Sequence, residues 1–392
     1  MYSKLNQCLC CGNKNLKLVL DLNEQPLANS YLKNKEDLES TFPLAINYCP
    51  NCTHTQLTHA VDPNELFKNY LYVSGTTKTL KDYFDWFVSF TEKYTSGKNV
   101  LDIACNDGTQ LDSYKKNGYN TFGVDPAENL YEISSKNHKI ICDYLSYDSI
   151  IKFNETFDII IAQNVFAHNT YPKQFLEICK SKLNDDGYIF IQTSQADMIL
   201  NNQFDTIYHE HISFFSVKSF CTLAKRVGLN VVDVHRTSVH GTSFVFILSK
   251  NQTDISKQLI DSEIELTFNI MESYAEKCKK ISKDVFDKIN ELKYKGYKII
   301  GYGAAAKGNT FLNFSKFDLD YIIDDNQLKQ GLYTPGSKIL IVPVEKLLSE
   351  DENLICIIPL AWNFFDEIRE RVINRVKREV RFLKYFPNVE LI

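Results

Sequence analysis

Val100-Leu-Asp-Ile-Ala-Cys-Asn-Asp-Gly-Thr109 runs from an apolar stretch through an acidic, glycine-containing bend into a segment of helical periodicity. A strand that empties into such a loop and then a helix opens a wound α/β unit. Gly108 lets the backbone approach a ligand closely, and the adjacent acids can take hydrogen bonds from one. Outward from this stretch the pattern repeats: strands are expected at 100–104, 121–124, 139–142, 158–162 and 188–193, each closed by a polar or glycine turn. Segments 231–235 and 243–248 flank a turn with Gly241 and read as an antiparallel edge hairpin. A helix is expected at 79–94.

Residues 254–293 contain neither proline nor glycine, with apolar residues three and four apart, so a long helix or helix pair is expected there. A second α/β unit follows, with strands at 299–301, 321–323, 339–342 and 354–358 and a charged helix at 365–380. The fold expected is α/β in three parts: residues 1–73, 74–252, and 253–392. A chain of 392 residues exceeds one ordinary core.

The bulk composition narrows the function. A net charge of −5, with lysine and arginine scattered, gives no nucleic-acid-binding surface. The apolar runs are too short to span a bilayer, and the first residues lack a signal peptide's apolar stretch. A cytoplasmic location and a monomer are expected, with no membrane partner.

Cys8 and Cys11 form one C-x-x-C pair, and Cys49 and Cys52 another. Each such pair makes a tight knuckle with both sulfurs on one side, so two pairs suit one tetrahedral zinc ion. Four thiolates close the site, which makes the zinc structural. Cys10 and His54 adjoin the ligands, and the remaining cysteines read as small buried hydrophobes.

Two loops invite a nucleotide. The first lacks a G-x-G-x-x-G fingerprint, while Gly123-Val-Asp-Pro126 ends the second strand with Asp125, an acid placed for ribose hydroxyls. The second, Gly301-Tyr-Gly-Ala-Ala-Ala306, fits G-x-G-x-x-A, with Asp324 closing the next strand. Alone it would suggest NAD, and an NAD-dependent oxidoreductase is the alternative reading. A zinc-ribbon adaptor that only binds ligands is a further rival. Lys307 and Asn309 at the helix start are placed to hold a diphosphate.

Tyr208-His-Glu-His211 is the densest ionisable run. Its spacing does not match H-E-x-x-H. A histidine base with a pKa near working pH suits proton abstraction beside a carbonyl.

The first loop, Asp125, Cys142-Asp143-Tyr144 and Gln163-Asn164 together resemble the class I methyltransferases. That resemblance places Asp102, Asn106 and Gly108 along the methionine and ribose of S-adenosylmethionine (SAM), Asp125 on the ribose, Asp143 and Tyr144 beside adenine, and Gln163 and Asn164 near the methionine. The central part is then a class I methyltransferase Rossmann-like domain, flanked by a zinc-binding lobe and a C-terminal Rossmann-like domain.

Over nearly the whole chain the sequence further resembles the zinc-containing, SAM-dependent sugar C-methyltransferases of branched deoxysugar pathways. The shared stretches include the cysteine pairs, Gln25-Pro-Leu-Ala-Asn29, Tyr70-Leu-Tyr-Val-Ser-Gly75, Phe166-Ala-His168, Tyr208 to His211, His240-Gly241 and 301–308. The resemblance implies a nucleotide-linked 4-keto-deoxysugar substrate, with dTDP the expected nucleotide and C3 preferred over C5. His211 would be the base and Glu210 its partner, with Tyr208, His168, Tyr70 and Tyr72 around the sugar. Lys307, Asn309, His240, Asp324 and Tyr302 would bind the substrate. Two departures stand out: His240-Gly-Thr-Ser for the usual His-Gly-Gly-Ser, and Ala-Cys-Asn-Asp for the glycine-rich first motif.

Overall fold

A computed structural model describes residues 1–67, 78–194, 196–237, 243–252, 255–350, 354–376 and 379–392. Tyr70, Tyr72 and His240 lie outside these described residues.

The centre is a seven-stranded sheet ordered Asn230–Thr237, Ser243–Ser249, Leu183–Ser194, Phe157–Gln163, Asn99–Ile103, Asn120–Val124, Lys139–Ile141. The last five are parallel and the first two form the expected antiparallel edge hairpin. The unbroken buried run Ile159-Ile-Ile-Ala162 in Phe157–Gln163 reflects burial on both faces, which parallel sheets require. The strand order reverses on either side of Asn99–Ile103, so a crevice opens at the carboxyl ends of that strand and of Phe157–Gln163.

The N-terminal lobe departs from expectation. Instead of only short runs it holds Lys17–Pro26 and Thr41–Tyr48, paired antiparallel, then Thr55–Leu57. The fourth strand of that sheet is Ser213–Phe214, which comes from the central region and pairs with Thr55–Leu57. The lobe is therefore built around the segment that follows Tyr208 to His211.

The connector resolves into two helices, Ile255–Asp261 and Phe268–Tyr294. Thr267 caps the second by accepting from the Ile270 N–H. Its buried face, including Met271, Cys278 and Val285, joins one core with Leu20 and Leu22 of the lobe, Phe204 and Phe214 of the central region, and Ile299 and Ile358 of the C-terminal sheet. That sheet is ordered Ile341–Val342, Tyr321–Ile323, Lys298–Tyr302, Ile355–Pro359, Arg381–Lys384, Glu390–Leu391. The charged helix stops at Arg375, short of the expected 380, and the two last strands were not anticipated.

Candidate active site and zinc knuckle

The loop after Asn99–Ile103 makes its bends with one glycine. Ala104, Asn106 and Gly108 all have left-handed backbones, with φ of 61°, 53° and 84°. For alanine and asparagine this conformation costs about 1–2 kcal/mol each, which the surroundings must offset. Two contacts do so. A side-chain carbon on Gly123 would lie 2.6 Å from the Cys105 sulfur, so Cys105 fills the space that glycine leaves. The Asp125 carboxylate accepts the N–H groups of Asn106 and Ala127, both at 2.8 Å.

The other cofactor-assigned residues converge on the same crevice. Asp102 is buried, and burial, with the charges of Asp125 and Asp107, holds its pKa well above the usual carboxylate range. Gln163 ends its strand with a buried Nε2 that has no partner among the described residues. Asn164, next in chain, adopts a left-handed backbone with φ 57°. Gln192, not anticipated from sequence, lies near the end of the neighbouring strand; it accepts from the Tyr83 hydroxyl at 2.8 Å, and its Nε2 has no partner among the described residues. Tyr144 is exposed and Asp143 half-buried at the third strand's end, where Asp143 meets Lys152. Unpaired amide donors beside crowded acids fit a ligand with both a carboxylate and positive charge, as SAM has.

Tyr208 to His211 forms a turn closed by the His211 N–H on the Tyr208 carbonyl. The turn brings Tyr208 and His211 to one side, with the hydroxyl 2.8 Å from His211 Nε2. Nδ1 stands 3.0 Å from the Thr206 carbonyl. A carbonyl only accepts, so a proton sits on Nδ1, and in the neutral ring Nε2 accepts from the tyrosine. This corrects the expected partnership: the Thr206 carbonyl, not Glu210, meets Nδ1. The Glu210 carboxylate accepts instead from Asn29 of the lobe at 2.6 Å. Burial pushes Glu210 up to about 7 against the pull of Asn29. His168 lies edge-on to His211, with centroids 5.2 Å apart, and burial lowers its pKa to about 4. His209 turns away, its Nε2 3.2 Å from the Phe42 carbonyl.

The four knuckle sulfurs lie within 4.8 Å of one another. Cys8 faces Cys52 and Cys11 faces Cys49, each at 3.5 Å, and the Cys11 N–H points at the Cys8 sulfur. Such a closed, largely buried thiolate set fits a structural zinc ion, held by Cys8, Cys11, Cys49 and Cys52. The knuckle rests on the central region. Arg226 donates to the Cys10 carbonyl, Thr53 meets Ser216 at 2.9 Å, and the His54 ring packs 4.9 Å from Phe215.

The second glycine loop is packed rather than open. A side-chain carbon on Gly303 would lie 2.7 Å from Ala361, and one on Gly308 2.7 Å from Leu360. Asp324 accepts from Ala304 N–H at 2.7 Å and Asn326 N–H at 2.8 Å, as Asp125 does for its own loop. Gly303 thus sits in a tight turn packed on Ala361, and Gly308 packs the helix on Leu360. Lys307 and Asn309 face inward: Lys307 lies 5.1 Å over the Trp362 ring, and Asn309 donates to the Ala28 carbonyl at 2.7 Å. The Tyr302 hydroxyl meets Asp325, which also pairs with Arg371.

Comparison with known proteins divides the chain in the same order. A zinc binding domain model matches residues 8–67, a methyltransferase domain model residues 77–234, and a C-methyltransferase C-terminal domain model residues 238–387. The C-methyltransferase NovU of Streptomyces niveus is 27% identical over a 409-residue alignment, covering 99% of this chain and 97% of that protein. A ubiquinone biosynthesis O-methyltransferase of Glaesserella parasuis is 33% identical over 108 residues, 25% of this chain and 45% of that enzyme. A solved SAM-dependent methyltransferase from Clostridium acetobutylicum is 12% identical, with a TM-score of 0.37 over 48% of this chain and 96% of that one.

The chain is a SAM-dependent methyltransferase with a zinc-binding lobe. In its three-part layout it resembles the zinc-containing sugar C-methyltransferases. Among the described residues no helix is long and apolar enough to cross a membrane.

Proposed function

We propose that this enzyme methylates a carbon alpha to the ketone of a nucleotide-linked 4-keto-deoxysugar, with His211 as the general base. The observation that carries this reading is the arrangement Thr206–His211–Tyr208. Thr206 fixes the proton on Nδ1, so Nε2 keeps the lone pair that can take a proton, directly or through the Tyr208 hydroxyl. A proton beside a ketone is acidified by the carbonyl but still needs such a positioned acceptor at neutral pH. Loss of that proton to the base leaves an enolate carbon. SAM, held by Asp125, Gln163 and Gln192, would supply a methyl on its sulfonium, a good electrophile for that carbon.

The other roles follow from position. Asp125 would hold the ribose through its remaining lone pairs, and Gln163 and Gln192 would donate to the methionine carboxylate. Asp102, Asn106, Gly108, Asn164, Asp143 and Tyr144 would line the rest of the cofactor. His168, kept neutral by burial, and Glu210, titrating near neutrality, stand beside the base and can donate to or accept from sugar hydroxyls. The 4-keto sugar, the dTDP carrier, C3 as the methylated carbon and a cytoplasmic monomer complete the reading; the full-length similarity to a C-methyltransferase supports its methylation of carbon.

Incubation with SAM and a panel of keto-sugar nucleotides, followed by mass spectrometry, tests it. One methyl gained on a 4-keto sugar is expected. A change of two hydrogens would mark the oxidoreductase alternative, and an unchanged panel would remove the sugar assignment.

A further inference from the structure

We propose that Asp205 is a positioning residue that sets the tautomer of His211, and that the C-terminal domain holds it in place through Trp362. The proposal deepens the assignment of His211 as base and rests on it. Asp205 is fully buried in the short turn Phe204–Thr206. Its Oδ2 accepts from the Trp362 indole N–H at 2.6 Å, and its Oδ1 has no partner among the described residues. Opposing charge comes from Lys307, which lies half-buried over the same indole ring.

A carboxylate buried here is costly to desolvate, and apolar side chains would hold two domains together as well or better. Burial pushes Asp205 up to about 6, while Lys307 and the Trp362 N–H pull it down. The carboxylate is thus held by Trp362, and Thr206 follows it directly in the same short turn. Thr206 supplies the carbonyl that holds His211 Nδ1. Phe204, on the other flank, is buried against Phe311, Phe314 and Phe386 of the C-terminal domain. The turn that aims the Thr206 carbonyl is therefore fixed from the C-terminal domain, and Asp205 is its polar anchor.

The test is 15N NMR of the full-length, zinc-loaded protein labelled at histidine, with His211→Asn used to assign the His211 signals. Wild type should show neutral His211 with its proton on Nδ1. Trp362→Phe keeps a ring and removes the N–H, and Asp205→Asn keeps the shape and removes the charge. Each should shift the tautomer ratio toward Nε2–H by about tenfold, the worth of one hydrogen bond, with SAM affinity by calorimetry within about twofold. An unchanged tautomer in Trp362→Phe overturns the proposal, even where Asp205→Asn fails to fold. The readout is taken on resting protein. Failure of the base assignment would appear separately, as substrate deuterium exchange that survives in His211→Asn.

Discussion

The Tyr208 hydroxyl stands 2.8 Å from Nε2 of His211, three residues further along the chain. With Nδ1 engaged by Thr206, this hydroxyl occupies the nitrogen to which the proposed mechanism delivers the substrate's proton. Tyr208 is then either the relay that passes the proton or a gate that keeps the base aligned until substrate arrives. In both cases Tyr208→Phe leaves the basic nitrogen in place. Turnover should fall by about tenfold, the cost of one hydrogen bond lost in the transition state, well short of the loss in His211→Asn. A steady-state comparison of the two variants checks the order; equal losses would make tyrosine the base.

Glu210 gives a pH signature. Burial raises its folded pKa to about 7, above the ordinary carboxyl value of 4.5. The folded state therefore binds the proton more tightly than the unfolded state. Its contribution to stability is fully present below about pH 4.5 and is lost as pH rises towards 7. Glu210→Gln should flatten that slope and gain on the order of 2 kcal/mol over wild type at pH 8, with little gain at pH 4.5. Denaturant titrations at both pH values measure this, and parallel curves would contradict it.

The zinc knuckle's contacts, from Arg226 to Cys10 and from Ser216 to Thr53, reach the stretch just after the His211 turn. They do not reach the strand ends of the cofactor crevice. Cys49→Ser, or chelation, should remove one zinc per chain and lower the melting temperature. Methyl transfer should fall by at least about tenfold while SAM affinity stays within about threefold. Metal analysis, thermal unfolding and calorimetry on one preparation decide it; full activity in zinc-free protein would sink the idea.

Asp125 and Asp324 cap their respective loops in the same way. Only Asp125 lies at the cofactor crevice. Asp125→Ala should weaken SAM binding by about 1–3 kcal/mol, the loss of charge-assisted hydrogen bonds. Asp324→Ala should leave it unchanged. Calorimetry on the pair separates a ligand-holding acid from one that only caps a loop.

The sequence carries much of this fold because parallel strands buried on both faces leave unbroken apolar runs, as in Phe157–Gln163. The cysteine pairs were legible for a similar reason: ligand spacing is local. Long-range pairings were not. Ser213–Phe214 is too short to show a period, and it becomes a strand only because Thr55–Leu57 lies beside it. The charged helix overran its end because Arg381–Lys384 is held as a strand by parallel pairing with Ile355–Pro359. At the site, Tyr208 to His211 stood out by composition, yet its true partners did not. Asn29 meets Glu210 across 181 residues of chain. Thr206 acts through its carbonyl, which any residue would supply.

Hydrogen–deuterium exchange at the carbon alpha to the substrate ketone, followed in D2O without SAM, tests the central claim most directly. It reports proton removal alone, apart from methyl transfer. Wild type should exchange that position, and His211→Asn should bind the sugar nucleotide nearly normally while exchange and turnover fall together by about 10²–10⁴-fold. Exchange at the wild-type rate in His211→Asn, with methylation stopped, would contradict the account and move the base to His168 or a tyrosine.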